Sequence, residues 1–139
     1  MKLLYIVIVL VICLGYGTAG AADEKKAAST ELMAKQLSDQ CNMGARNSLA
    51  SGDIEVAEEA CMKAIEEIDK SYEDKRLLIN PLMNLAFSYT LAGQFDKATP
   101  YYDRARSITI QLDGPDSKMA SKIDQLINAQ EEMKRHQGE

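Results

Sequence analysis

The sequence predicts an all-α fold, a short solenoid of about two and a half helical-hairpin repeats closed by a C-terminal capping helix. Three observations predict it. After Ala22, apolar residues recur at a 3.6-residue period in five segments separated by short breaks. No run alternates with period two, so strands are not expected. The turn sequences themselves recur after 41 residues. Composition agrees: 46% of residues are hydrophobic but only 6% aromatic, with no Trp, so the apolar load is Ala, Leu, Ile and Met. Those residues suit close-packed helices better than strands.

The elements follow in order. Segment one places Leu37, Cys41, Gly44, Ala45 and Ser48 on one face and ends at Ser51-Gly52. Segment two carries Ile54, Ala57, Cys61, Ala64, Ile68 and Tyr72, with Asp53 as its expected N-cap. The third carries Leu78, Leu82, Leu85, Ala86 and Tyr89 and stops at Gly93; the fourth carries Phe95, Ala98, Tyr102, Ala105, Ile108 and Leu112 and stops at Gly114-Pro115. Met119, Ile123, Leu126, Ile127 and Met133 mark the fifth. The polar end, 134–139, is expected to be a disordered tail.

Leu49 to Ala57 aligns with Thr90 to Ala98, Cys61 falls on Tyr102 and Ala64 on Ala105, all at the same offset of 41. A repeat of that length made from two helices is the mark of a solenoid. Gly52 and Gly93 allow the sharp turn between antiparallel helices, and Ala at crossings lets the axes approach. Ile54 and Phe95, two residues after each Gly, are expected to plug the turn from beneath.

Residues 1–22 differ from the rest. Lys2 precedes an apolar run from Leu3 to Leu14, followed by the Gly- and Ala-rich stretch from Gly15 to Ala22. This order predicts a secretory signal peptide over 1–21, cut after Ala21 within Ala19-Gly20-Ala21. The alternative is an uncleaved membrane anchor, since Leu3 to Ala22 is a charge-free stretch of 20 residues. A lipoprotein reading of Cys13 fails, because bulky Ile12 precedes it inside the apolar run. Export, periplasmic or secreted, is expected in either case. A linker over 22–29 and a helical domain over 30–133 complete the organisation.

Net charge is −5 and becomes −6 once the +1 of Lys2 is set aside with the leader. An acidic domain with interspersed Lys and Arg repels phosphate backbones, which argues against nucleic acid as a partner. Enzymatic chemistry also lacks its parts. His136, the sole His, lies in the polar tail, so no His-centred acid/base pair or nucleophile relay can be assembled around it in the helical domain. No Cys-x-x-Cys, His-Glu-x-x-His or Gly-x-x-x-x-Gly-Lys occurs, which leaves no redox, zinc or P-loop motif. No cofactor, metal or small-molecule substrate is expected. Glu58-Glu59, Glu66-Glu67 and Glu131-Glu132 have Lys63, Lys70 and Lys134 as helical neighbours and read as solvated faces. Tyr72, Tyr89 and Tyr102 lie on core stripes.

Beyond the leader, Cys41 and Cys61 are the only cysteines. Counted outward from the Gly52 turn they lie at similar depths on antiparallel helices, so their axial offset is roughly a few Å. In an oxidising compartment a disulfide would stabilise the fold by about 3 kcal/mol. The alternative is a pair of small buried hydrophobes, since helix axes 8–10 Å apart do not guarantee the Cα spacing a bridge needs.

Leu82-Met83-Asn84-Leu85-Ala86, Gly93-Gln94-Phe95-Asp96-Lys97-Ala98-Thr99-Pro100-Tyr101-Tyr102, Arg104-Ala105 and Leu112-Asp113-Gly114-Pro115-Asp116 together resemble the tetratricopeptide repeat (TPR) family, in the longer form found in kinesin light chains. The resemblance is specific over residues 78–116, looser over 37–72, and covers only the first helix of a third repeat over 117–133. Pro100 falls near the start of its helix, where a missing N–H is expected to matter least. In this family the first helix of each pair lines a concave groove that holds peptides or helices. The resemblance therefore implies a partner-binding groove of Asn42, Arg46, Met83, Asn84, Phe87, Gln125 and Asn128. Asn84 matches a family Asn able to grip a peptide backbone through its amide, whereas Met83 departs from the family pair of Asn residues. Phe87 lies off the apolar stripe and is expected as an exposed anchor, or else as packing against segment five or the first helix. The expected function is a protein- or peptide-binding module such as an adaptor, assembly factor or chaperone. The alternative is a structural protein that self-associates through its repeat ends, with a membrane attachment only if the leader is retained.

Overall fold

The computed structural model describes residues 19–138, with side chains from residue 24 onward. The chain divides into two units, 1–33 and 34–139. Helix α1 runs Ala19–Ser51, α2 Ile54–Ser71, α3 Ile79–Leu91, α4 Phe95–Asp113 and α5 Lys118–Gln137, with a short 3₁₀ helix Lys75–Leu78 leading into α3. Among the described residues there is no strand, and the fold is all-α, built from helical hairpins. No described helix is long and apolar enough to cross a membrane. The leader reading falls mainly on residues 1–18, outside the described residues.

Each turn has a local cause. Gly52 and Gly93 adopt φ of 74° and 71°, so the 41-residue repeat is also a repeat of left-handed backbone that disfavours a side chain. After Gly52, the Asp53 side chain accepts a hydrogen bond from the Glu55 N–H and starts α2. After Gly93, Gln94 offers no such side-chain cap to α4. Ser117 caps α5 through the Ala120 N–H, and Asp74 caps the 3₁₀ helix through the Arg76 N–H.

The expected stripes form the core of the second unit. Cys41, Ala64, Ile68, Leu78, Leu82, Leu85, Tyr102, Ala105 and Ile123 are all fully buried in one cluster. α3 is the central element, and every residue of it except Asn80, Asn84, Phe87 and Leu91 is buried. Cys41 and Cys61 are joined as a disulfide, with their Cα atoms 4.3 Å apart. That approach is made by small residues one turn away. A Cβ on Gly44 would lie 2.7 Å from Ala60 Cβ and 2.9 Å from the Val56 carbonyl oxygen. The Cys41 sulfur also sits 3.8 Å from the Pro81 carbonyl oxygen, which seats the first hairpin on α3.

Four features differ from the sequence expectation. Residues 22–29, expected as a linker, are helical within α1, because no Gly or Pro stands between Gly20 and Gly44 to break it. The tail expected to be disordered from Lys134 is helical through Gln137. Its Lys134, Arg135 and His136 suit the negative end of the helix dipole, and Lys134 pairs with Asp96 on α4 at 2.7 Å. Pro100 is the sixth residue of α4 rather than a first-turn residue, so the α4 ladder lacks one bond, to the Asp96 carbonyl. On α4 the buried residue of the last turns is Thr109, fully enclosed and donating to the Ala105 carbonyl at 2.8 Å, while Leu112 is exposed. Thr109 stands 41 residues after Ile68, so the repeat itself carried that signal.

Candidate functional site

Burial of α3 on all sides but one leaves a single solvent-facing stripe. Asn80, Asn84, Phe87 and Leu91 recur at i, i+4, i+7 and i+11, the period of one helix face. Phe87 is 37% exposed and Leu91 46%. Ser88 is held inward by donating to the Asn84 carbonyl at 2.9 Å, so the Asn84 backbone is satisfied within the helix. Its side-chain amide is half-buried and hydrogen-bonded to no other described residue. An amide placed so can offer both a donor and an acceptor to an extended chain.

The stripe continues onto α1. Leu49 of α1, 53% exposed, and Leu91 of α3 line one small cleft of about 120 Å³, closed beneath by Ser48, Ser88 and Ile54. Two exposed leucines and Phe87 thus adjoin a polar amide on elements fixed by the core. Asn42 and Arg46 are exposed on α1, and Gln125 and Asn128 are exposed on α5. Met83 is 7% exposed and belongs to the hydrophobic core, which removes it from the groove expected of it. Its position on the central helix faces neighbours rather than solvent, and a flexible thioether fills such irregular space well.

Leu49, Leu91 and the cleft between them were not foreseen, because both leucines were read only as turn-proximal residues. Their spacing of 42 residues, one beyond the repeat, gave no register signal.

Away from this stripe, charged and aromatic side chains pair between helices. Asp69 of α2 accepts from Arg104 of α4 at 2.7 Å and from Lys75 at 3.0 Å; these two cations hold its carboxyl below the usual 3.8, Arg104 contributing most. Arg76 grips both carboxylate oxygens of Asp113 at 2.7 and 2.8 Å, and Arg106 pairs with Asp124. Tyr89 stacks on Tyr101 with centroids 5.9 Å apart, and the Lys97 ammonium lies 5.3 Å from the Tyr89 ring centre. Burial, and next the Glu58 carboxylate, push the Tyr89 hydroxyl well above its usual range. These pairs fasten helices to one another.

A buried polar network fastens α5. Gln130, 4% exposed, accepts from Thr90 Oγ1 at 3.0 Å and donates to Thr99 Oγ1 at 2.8 Å, tying α5 to α3 and α4. Among the described residues, no three His, Cys, Asp or Glu side chains converge as metal ligands. The described surface carries the mixed amide and apolar stripe of α3 as one feature suited to a partner. In comparisons with known proteins, no family model matches the chain, and no curated protein or solved structure matches it.

Proposed function

We propose that this chain is an exported, tetratricopeptide-like interaction module that holds a segment of another protein along the α1–α3 stripe. The observation that carries the reading is Phe87. A central helix buried nearly all round keeps one aromatic at its surface, beside Asn84 and Leu91, where burying it would add to affinity rather than to the fold. Phe87 and the Leu49–Leu91 cleft supply apolar anchors, and the Asn84 amide supplies backbone pairing for an extended partner. Arg46, at the position 41 residues before Phe87, adds a cation for an acidic group on that partner. The reading involves no cofactor and no bond-breaking step, and export rests on the layout of the leader.

Phe87→Ala is expected to weaken partner binding by about 2 kcal/mol, near thirtyfold, with helicity and Tm almost unchanged. Partners recovered from the native host with the wild-type chain, and lost with the variant, give the readout. A large fall in Tm would place Phe87 in the core. Unchanged recovery would remove the stripe from the binding surface.

A further inference from the structure

The two ends of the second unit differ in their surfaces. No large hydrophobic residue of α5 is exposed, whereas the outer face of the α1–α2 hairpin shows Met43 at 61% and Val56 at 37% exposure. Between them runs a groove of about 330 Å³ whose floor is Gly44 and Ala60 and whose α2 wall carries Glu59 and Lys63. The α1 wall offers only the neutral amides Gln40 and Asn47 beside Met43. The floor is rigid, because the disulfide and the Gly44 approach fix the two helices.

We propose that this groove is the interface of a two-fold homodimer, with a second copy of the chain as its occupant. The charges choose the occupant. Glu59 and Lys63 are one helical turn apart, lie on the same wall and are not paired with each other; the pair formed within α2 is Glu66–Lys70. A surface carrying one acid and one base at that spacing is complementary to itself. When two α2 helices meet antiparallel about an axis between these positions, each Lys63 faces the Glu59 of the other copy. An isologous interface demands this reciprocity. The same arrangement encloses Met43 and Val56 of both copies over the small-residue floors, while the α1 amides introduce no like charge. This face is separate from the Phe87 stripe, so the dimer leaves partner binding free.

The test is equilibrium mass against concentration, by sedimentation, for the chain and for Glu59→Lys and Lys63→Glu. Both substitutions are at exposed helical sites, so helicity should be retained. The wild-type mass is expected to double with concentration, and each single swap to weaken the dimer by about tenfold, because each turns two symmetric contacts repulsive. An equimolar mixture of the two variants should recover wild-type association as a mixed dimer, resolved by native mass spectrometry. Met43→Gln, which changes no charge, should weaken association as well. A monomer at every concentration overturns the proposal. So does association that neither swap changes, as attraction between apolar leaders would give, or a mixture no more associated than its components.

Discussion

The two hairpins, α1–α2 and α3–α4, share a 41-residue repeat and a left-handed glycine at the same place, yet they are held by different means. Cys41 and Cys61 of the first occupy the positions of Leu82 and Tyr102 in the second. In the first hairpin the pair is small and covalently joined, and Gly44 stands where the second has Leu85. In the second the pair is large and wholly buried, and the hairpin is further fastened through the Thr90–Gln130–Thr99 network to α5. The second hairpin has neighbours on both sides and is stabilised by buried volume. An end hairpin has fewer apolar contacts to draw on, so a crosslink takes their place. The comparison teaches that one repeat position can be satisfied by volume or by a bond, according to how many neighbours surround it.

The largest expected effect breaks that comparison at the bond. Replacing Cys41 and Cys61 together by Ser should destabilise the protein by about 3 kcal/mol and lower Tm by about 10–20 °C. Alkylation of the native chain should add two groups only after reduction. A Tm indifferent to reduction would mean that the first hairpin is held by packing, as the second is.

Gly44→Ala comes next. The new Cβ would meet Ala60 and the backbone of Val56 at under 3 Å, neither of which can swing aside. Overpacking costs about 1–3 kcal/mol, against which Ala gains about 1 kcal/mol in helix propensity, so a net loss of up to about 2 kcal/mol is expected in chemical denaturation. The cost should shrink in the Cys-free background, where the helices can separate. Equal costs in both backgrounds would show that the close approach does not depend on the disulfide.

Most of this fold was legible in the sequence because its determinants are local. Period 3.6, the glycine at each turn and the Asp53 cap depend on residues close in the chain, and the structure has helices, turns and cap at those places. What escaped depends on neighbours in space. Thr109 and Gln130 are polar and lie off the apolar stripes of the sequence, yet one satisfies its hydroxyl on the Ala105 carbonyl and the other finds two threonines from different helices. Met83 was placed in the groove by the family resemblance, but a helix surrounded on most sides leaves room for one exposed stripe, and that stripe passes through Asn84 and Phe87. The pattern put Phe87 off the apolar stripe but left its exposure open, and the Leu49–Leu91 cleft had no sign in the sequence, because its two halves are joined only by the packing of α1 on α3.

Tyr102→Phe sharpens the comparison from the other side. The Tyr102 ring fills the position that Cys61 holds in the first hairpin, but its buried hydroxyl has no hydrogen-bond partner among the described residues, and burial pushes it above its usual range. A buried hydroxyl without a partner is a desolvation cost. The ring volume should carry the stabilisation, so the substitution is expected to leave stability unchanged or to raise it by about 1 kcal/mol. A clear loss in urea denaturation would mean that the hydroxyl, not the ring alone, holds the second hairpin.

The smallest effect concerns the tie between the hairpins. Asp69 of α2 is paired with Arg104 of α4, and both side chains are about 40% exposed, so the bond is screened by solvent and by salt. The folded carboxyl titrates below its unfolded value of 3.8. A depressed folded pKa binds fewer protons in the native state than in the unfolded one. The stability it contributes is therefore fully present above the unfolded value and is lost as pH falls through the folded one. Asp69→Asn should lower the urea midpoint slightly at neutral pH, and the difference from wild type should vanish between about pH 5 and pH 2. Raising the salt should narrow the gap at neutral pH as well, because two exposed partners are screened where the disulfide and the buried ring are not. A gap that persists in acid would show that the Asp69 side chain acts otherwise than through its charge, and the ion pair would then contribute nothing to the tie between the hairpins.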